Sequence, residues 1–370
     1  MTSDRSNARD RLDGLADTCA DLGWAGLVIG PGDNLRWATG SAMSSHERLT
    51  LLCVRADRTA AVVVPELEVA SLAGSVLASD RVEVRTWTDG QDAHALAREV
   101  FSAPGPVGVD EDLPARHVLP LLDRGLDLTP AAEAIRPHRM VKDAEEQREL
   151  REISAAIDRV HARMGEFLRV GLTEREAADL IGAAMLAEGH AEAAFVIVGS
   201  AAHGADPHHD VSEKVLESGD IVVVDIGGPA PSGYGSDCTR TYVLGEPDAA
   251  HAEMIAVLER AQQAGVDAAR PGATCSEVDA ACRDVLAEAG LDQYFIHRTG
   301  HGIGLSAHEE PFVVAGDSTV LEPGMAITIE PGIYLPGVFG ARIEDVVLIT
   351  ETGCERLNTQ PHGLRALPGE

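Results

Sequence analysis

Four acidic residues, spaced in two matching pairs, have the most specific chemistry in this sequence. Asp225 follows an apolar run of strand length, and Asp237 comes twelve residues later. Glu330 follows a second apolar run, and Glu344 comes fourteen residues later. Carboxylates buried together are costly unless protons or cations neutralise them. The four acids therefore indicate a site for two divalent metal ions, whose charge would balance theirs.

A histidine flanked by glycines is the candidate fifth ligand. His301 lies in the glycine-rich segment 299–305, in which the small residues allow the backbone to approach a neighbour closely. Four carboxylates and one imidazole suit manganese, cobalt, zinc or iron about equally well. A single acid after a strand indicates only a cap or turn, and a single buried histidine indicates a core residue. The combination of five residues favours a metal centre.

An internal repeat indicates how the acids are brought together. The motif G-x-T-x-x-E, which is typical of a helix capping box, begins at Gly171 and again 101 residues later at Gly272. The motif L-E-x-G, followed by an apolar run and an acid, begins at Leu216 and again 105 residues later at Leu321. We therefore predict two similar halves that face each other across a cleft, related by a pseudo-two-fold axis.

In each half the two acids are predicted to lie on a β-hairpin. The first strand is expected to end at Asp225, the glycine- and proline-rich residues 227–233 to form the turn, and Asp237 to return beside its partner. The second half is expected to repeat this arrangement, with residues 331–337 as the loop. The two hairpins would then bring all four carboxylates together.

The first third of the chain shows a different pattern. Short apolar runs alternate with helical segments, and this alternation predicts an α/β layer. The predicted strands are 26–30, 49–54, 60–64, 82–86 and 107–109, and a helix is predicted over 93–100. The polar, proline-containing residues 135–142 indicate a boundary, so we predict domains at 1–137 and 138–370.

Composition excludes some classes of partner and compartment. Among 370 residues, 30 Lys and Arg face 60 Asp and Glu, a net charge of −30. This balance argues against a nucleic acid or membrane partner. No apolar run reaches the roughly 18 residues of a membrane span, and the charged start is unlike a signal peptide. Six scattered cysteines indicate reduced thiols, so we expect a cytoplasmic location.

Taken together, the motifs resemble the pita-bread metallopeptidases, specifically the branch of Xaa-Pro aminopeptidases and Xaa-Pro dipeptidases (prolidases). The matching segments are Pro207–His209, Val224–Gly227, Ser236–Thr241, Thr299–Leu305, His308–Pro311, Ile329–Gly332 and Arg342–Asp345. They extend over nearly all of the second domain. The resemblance implies an α+β protein, with a pita-bread catalytic domain after a smaller α/β creatinase-type domain. The first domain matches the family only in size, position and pattern.

The resemblance also implies which residue holds which metal ion. By position, Asp225 would bind one ion, while His301 and Glu330 would bind the other. Asp237 and Glu344 would bridge the two. Manganese is the expected metal, with cobalt, zinc and iron as alternatives.

Further positions match residues that act in catalysis and substrate binding. Glu330 is expected to take the proton from the attacking water. His208 and His308 would donate to the developing oxyanion or to the departing proline nitrogen. His297 and Arg342 match positions that line the site, and Arg342 and the histidines are candidates for contact with a terminal carboxylate.

The predicted activity is hydrolysis of the Xaa-Pro amide bond, in peptides by an aminopeptidase or in dipeptides by a dipeptidase. The alternative is an amidohydrolase or lyase that acts on a small non-peptide metabolite with the same scaffold. Creatinase-like members and non-catalytic binding modules lose the metal ligands, and methionine aminopeptidases would not have an α/β domain of this size in front. The family also leads us to expect a homodimer.

Overall fold

The computed structural model describes residues 2–369, with side chains from residue 8 onward. The chain forms two compact units, Met1–Arg139 and Met140–Glu370. The predicted boundary between residues 137 and 138 lies inside the helix Ala132–Met140, just before this division. None of the helices in residues 2–369 combines the length and apolarity needed to span a lipid bilayer.

The first unit is a mixed sheet with helices packed against it. Its strands are β1 (Gly26–Ile29), β2 (Leu51–Arg55), β3 (Ala60–Pro65), β4 (Val82–Trp87), β5 (Val107–Val109) and β6 (Leu128–Pro130). Its helices are α1 (Thr2–Asp21), α2 (Asp33–Thr39), α3 (Ala93–Val100), α4 (Ala115–Asp123) and α5 (Ala132–Met140). The strand order is β4-β3-β2-β1-β5-β6, with β1 antiparallel to β2 and parallel to β5. The predicted α/β layer is confirmed.

The second unit contains helices and two main sheets. Its helices are α6 (Ala144–Ala162), α7 (Met164–Phe167), α8 (Glu174–Ala187), α9 (Ala249–Ala268) and α10 (Cys275–Glu288). Its strands are β7 (Phe195–Ser200), β8 (Ile221–Pro229), β9 (Gly235–Leu244), β10 (Gly300–Gly302), β11 (Glu309–Val313), β12 (Ala326–Ile329), β13 (Gly332–Leu335), β14 (Phe339–Arg342), β15 (Asp345–Ile349), β16 (Cys354–Arg356) and β17 (Arg365–Leu367). The sheets have the orders β17-β9-β8-β7 and β11-β10-β12-β15-β16, and β13 pairs with β14.

The repeat seen in the sequence is present in the structure of the second unit. Helices α8 and α10 both begin with a complete capping box, as predicted. Thr173 pairs with Val215 in the first half, and Thr274 pairs with Val320 in the second. These four positions keep the offsets of 101 and 105 residues found between the motifs. The two halves therefore share local backbone pairing as well as sequence.

The first pair of acids lies on the continuous hairpin formed by β8 and β9. Asp225 is opposite Thr239, and Gly227 is opposite Asp237. Because side chains alternate between the faces of a sheet, Asp225 and Asp237 occupy the same face of neighbouring strands. The hairpin thus brings the two carboxylates together through backbone register alone.

The prediction that the strand ends at Asp225 was wrong, because β8 continues to Pro229. Gly227 stays in the ladder instead of opening a turn. A Cβ atom there would lie 2.3 Å from the Phe195 ring, so the glycine is required by close packing across the sheet. Glycine in a strand interior has this second meaning, and the sequence does not distinguish it from a turn.

The second pair of acids lies at the ends of two paired strands. Glu330 follows β12 directly, and Glu344 directly precedes β15. The register places Ile329 opposite Asp345, so the two glutamates leave the sheet at the same point. The backbone N–H of Glu344 donates to the carbonyl of Thr239 at 3.1 Å, which joins this segment to β9. The two halves therefore meet where their acids lie.

Candidate metal centre and substrate cavity

A cavity of about 690 Å³ lies within the second unit, and every residue predicted for the site lines it. The predicted ligands that line it are Asp225, Asp237, His301, Glu330 and Glu344, and the predicted substrate-side residues are His208, His297, His308 and Arg342. Apolar side chains, including Phe195, Ile197 and Ile296, form another part of the wall. Acidic, basic and apolar groups thus share one cavity.

The acids and the imidazole form two overlapping groups. In one, oxygen atoms of Asp225, Asp237 and Glu344 lie within 4.8 Å of one another. In the other, Glu344 is within the same distance of ligand atoms of His301 and Glu330. Asp237 also approaches the second group, since its Oδ2 lies 3.7 Å from His301 Nε2. Glu344 and Asp237 are therefore placed between Asp225 on one side and His301 and Glu330 on the other.

His301 directs one ring nitrogen at the acids. Its Nδ1 lies 3.1 Å from the carbonyl oxygen of Gly302, which can only accept, so Nδ1 carries the hydrogen. Nε2 is left with a free lone pair 3.3 Å from Glu330 Oε1. Burial lowers the pKa of His301 to about 3, which keeps the ring neutral. A neutral imidazole held by its other nitrogen has the arrangement of a metal ligand.

The acidic cluster lacks enough positive charge of its own. Burial first, and then the neighbouring carboxylates, raise the pKa of Asp237 and Glu344 well above ordinary values. Burial raises the pKa of Glu330 to about 8 despite the opposing charge of Arg342. Arg342 Nη2 lies 2.6 Å from Asp225 Oδ2 and neutralises only one of the four carboxylates. Like charges at this density require protons or cations.

One buried oxygen is also without a partner among the described residues. Asp225 Oδ1 has no hydrogen bond, although its other carboxylate oxygen is held by Arg342. Buried polar atoms normally have a partner, and an exception indicates a missing ligand or ion. The donor set of carboxylates and one imidazole, together with this oxygen, fits divalent cations.

Arg342 and His297 both line the cavity, and a buried tyrosine connects them. Arg342 donates to the Tyr334 hydroxyl at 2.7 Å, and this hydroxyl lies 2.9 Å from His297 Nε2. His297 Nδ1 lies 2.7 Å from the carbonyl of Arg298, so both ring nitrogens are engaged. Burial lowers the pKa of His297 to about 4, so the neutral ring accepts from Tyr334. Tyr334 was not identified from the sequence.

His208 and His308 are exposed and lie on loops at the cavity wall. The His308 ring contacts the His301 ring edge to face, with centroids 4.1 Å apart. Burial first, and then the charge of Arg298, lower the pKa of His308. The two exposed rings are therefore the histidines of the cavity that are most accessible to a substrate.

A buried glutamate that the sequence analysis did not single out holds the His208 loop. Glu174 is the first residue of α8 and is fully buried. Its carboxylate accepts hydrogen bonds from the side chains of Ser200, His203, His209 and Ser212. Burial alone would raise the pKa of Glu174, but the hydrogen bonds, led by Ser212 and Ser200, lower it to about 2. The ionised carboxylate thus ties β7 to the loop that carries His208.

Two buried ion pairs hold the segments around the acids. Arg240 on β9 donates to Asp345 at 2.7 Å and to the carbonyl of Glu344 at 2.6 Å. Lys142 lies 2.6 Å from Glu309, the residue after His308, and both side chains are almost fully buried. Both pairs connect residues far apart in the chain, so sequence spacing gave no signal for them.

Comparison with known proteins identifies the class of this protein. The metallopeptidase family M24 matches residues 148–351, and the creatinase/prolidase N-terminal domain matches residues 11–141. The chain therefore belongs to metallopeptidase family M24, in the form that carries a creatinase-type domain in front of the catalytic domain. The resemblance inferred from the sequence motifs and the predicted α+β fold class are confirmed.

Three similar proteins match almost the whole length of the chain. The probable dipeptidase PepE of Mycobacterium tuberculosis is 53% identical over 361 residues, which cover 97% of this chain and 96% of the relative. The Xaa-Pro dipeptidase of Lactobacillus helveticus is 32% identical over 367 residues, which cover 96% of this chain and 97% of the relative. The crystal structure of dipeptidase PepE from Mycobacterium ulcerans superposes with a TM-score of 0.96 at 50% identity, and 99% of each chain is covered.

Proposed function

We propose that this metallopeptidase hydrolyses the amide bond between a residue and a following proline, using two divalent metal ions. The observation that carries the proposal is the pair of overlapping ligand groups that share Glu344 in one cavity. The names of similar proteins, which include probable dipeptidase and Xaa-Pro dipeptidase, support the same substrate class.

We propose the ligand roles that the family resemblance implies, and the arrangement of the two groups supports them. Asp225 would hold one ion, His301 and Glu330 would hold the other, and Asp237 and Glu344 would be shared between the two. When bound, such ions would supply a Lewis acid for the scissile carbonyl and would lower the pKa of an attacking water. Manganese is the metal we propose, with cobalt, zinc and iron as alternatives.

Residues of this chain then handle the proton and the substrate. The carboxylate of Glu330, held beside His301, takes the proton of the attacking water. His208 and His308 are accessible in the cavity wall and donate hydrogen bonds to the developing oxyanion or to the proline nitrogen. Arg342 fixes the position of Asp225, and the chain through Tyr334 to His297 fixes Arg342. The apolar wall excludes water around the proline ring.

The direct test removes one bridging acid while keeping its shape. In Asp237→Asn, the side chain loses its charge and one bridging oxygen. We expect bound metal, measured by elemental analysis of dialysed protein, to fall below two ions per chain. We expect hydrolysis of Ala-Pro to fall at least about 1,000-fold, because both metal sites lose a ligand.

Asp158→Asn is the matched control, because Asp158 is also a buried acid but does not line the cavity. This variant should retain two metal ions per chain. Full activity in Asp237→Asn, or equal metal loss in both variants, would contradict the two-metal scheme. Wild-type protein that cleaves non-peptide amides but neither Ala-Pro nor Xaa-Pro peptides would contradict the substrate class.

Three further features complete the proposal. We propose a homodimer and a cytoplasmic location, in which the six cysteines, all free thiols in the structure, stay reduced. We assign catalysis to residues 138–370 and a supporting role to residues 1–137. Size-exclusion chromatography with light scattering tests the dimer, and cell fractionation tests the location.

A further inference from the structure

Two arginines line the cavity, and their surroundings differ. Arg342 is almost fully buried, and its guanidinium donates to Thr239, Tyr334 and Asp225. A further hydrogen bond, from Nη2 to the carbonyl of Pro207, is 3.4 Å long. The donors of Arg342 are therefore committed to protein atoms, and its charge is balanced by Asp225.

Arg298 has no such commitments. Among the described residues its side chain makes no hydrogen bond and no ion pair, and it stacks on the Phe312 ring with 4.4 Å between the guanidinium carbon and the ring centroid. It is half-buried and lines the cavity. Cation–π attraction can hold a guanidinium over an aromatic ring, and a guanidinium carries five N–H donors. Arg298 thus presents a positive charge whose donors have no partner among the described residues.

The position of Arg298 is close to the reacting groups. It is separated from His301 by only two residues, Thr299 and Gly300. Ile296, which is 67% exposed, and Ala307 lie on the same cavity and supply apolar surface. A cation beside an apolar wall and the acidic centre fits a ligand with an anion near an apolar ring.

A dipeptide that ends in proline has this chemistry. Its carboxylate carbon is only two covalent bonds beyond the scissile nitrogen, so the anion must enter the same cavity as the acidic cluster. A longer peptide places a neutral amide there. The acids repel the carboxylate unless an uncommitted cation faces it, and Arg298 is the residue of the cavity wall that supplies one.

We propose that Arg298 receives the α-carboxylate of Xaa-Pro dipeptides and makes the enzyme select free dipeptides over longer peptides. This inference rests on the proposed Xaa-Pro hydrolysis. It assigns recognition of the terminal carboxylate to Arg298 rather than to Arg342, whose donors hold the cavity wall together. Planar guanidinium groups bind carboxylates through two parallel hydrogen bonds.

The test compares Ala-Pro with Ala-Pro amide, which lacks the carboxylate, on the metal-loaded full chain. Wild-type enzyme should have a higher kcat/KM for Ala-Pro, the acid, than for Ala-Pro amide. In Arg298→Gln the ratio of kcat/KM between acid and amide should fall about 10- to 100-fold, mainly through KM, because a charged hydrogen bond is lost. Arg298→Lys should restore part of the ratio, since it keeps the charge without the two-pronged geometry.

Two control variants separate recognition from folding. Arg260→Gln removes an exposed arginine of α9 and should leave the ratio unchanged. Phe312→Leu removes the stacking partner while keeping the charge, and its ratio should fall less than that of Arg298→Gln. An unchanged ratio in Arg298→Gln, or an equal fall in Phe312→Leu, would overturn the inference while Xaa-Pro hydrolysis stands. Absence of cleavage of both substrates by the wild type would instead defeat the proposed function.

Discussion

At the scale of single residues, the site depends on how each buried charge is compensated. Among the four clustered acids only Asp225 is paired with a cation, Arg342, whereas in the described part of the chain Glu174 has hydrogen-bond donors and no Arg or Lys partner. The acidic cluster therefore requires cations, whereas the Glu174 carboxylate holds a loop in place. The same residue type thus serves binding in one place and structure in the other, because its neighbours differ.

Glu174→Gln tests the structural role. The amide has only one accepting oxygen and cannot take all the hydrogen bonds of the carboxylate. We therefore expect the free energy of unfolding to fall by about 1–3 kcal/mol, which lowers the melting temperature by several degrees at pH 7. The folded pKa of Glu174, about 2, is below its ordinary value of 4.5. Its stabilising effect is therefore present above pH 4.5 and lost as the pH falls towards 2.

Calorimetry of wild type and Glu174→Gln between pH 7 and pH 3 measures the difference between their free energies of unfolding. This difference should become smaller below pH 4.5. Glu213→Gln is the control, because Glu213 is an exposed glutamate paired with Arg175. It should change stability by less than about 0.5 kcal/mol. A difference that stays constant from pH 7 to pH 3 would show that the charge of Glu174 is not what holds the loop.

At the scale of elements, close approach of backbones positions the candidate ligands. A Cβ atom on Gly300 would lie 1.9 Å from the carbonyl oxygen of Thr328, and one on Gly340 would lie 1.7 Å from the carbonyl oxygen of Gly204. Strand β10 can therefore approach β12 only because residue 300 is glycine. Strand β14 can approach the turn after β7 only because residue 340 is glycine. This approach holds His301 next to Glu330.

Gly300→Ala should separate β10 from β12, because the clash is with a backbone atom that cannot turn away. We expect a cost of about 3 kcal/mol or more and weaker metal binding, measured by calorimetry and by metal titration. In Gly353→Ala the new methyl group meets nothing within 4 Å, so this variant should behave like the wild type. Equal behaviour of the two variants would mean that the close approach does not position His301.

At the scale of the whole molecule, acidity and metal binding are linked to stability. The chain carries a net charge of −30, and part of this charge is concentrated in the buried cluster. Cations that bind only the folded state stabilise it by mass action, by about 2.7 kcal/mol when free metal is 100 times its dissociation constant. The melting temperature should therefore report metal binding directly.

Chelation with EDTA should lower the melting temperature, and added manganese should restore it in proportion to the logarithm of the metal concentration. The Asp237→Asn variant should respond much less, since it lacks the carboxylate that we propose is shared between the two ions. Equal responses of wild type and variant would place the stabilising ions elsewhere in the protein.

Local patterns explain why much of the fold was predictable and why candidate ligands could be named from the sequence. The capping boxes of α8 and α10, the apolar run of β8 and the spacing of each acid pair depend on residues close in sequence. Interactions between distant residues left no such pattern. Arg240 meets Asp345 across 105 positions, and Glu174 meets Ser212 across 38. The glycines of β8 were interpreted as a turn because packing against Phe195 is also non-local.

The sequence by itself determined the identities and order of the candidate ligands, the repeat that pairs them and the family they resemble. Only the tertiary structure decided which charges are balanced and which are free. Arg342 and Arg298 are both arginines of the cavity wall, yet one is committed to Asp225 and the other is not. The reason is physical: the effect of a charge depends on the partners and burial around it, and these are set by segments that only folding brings together.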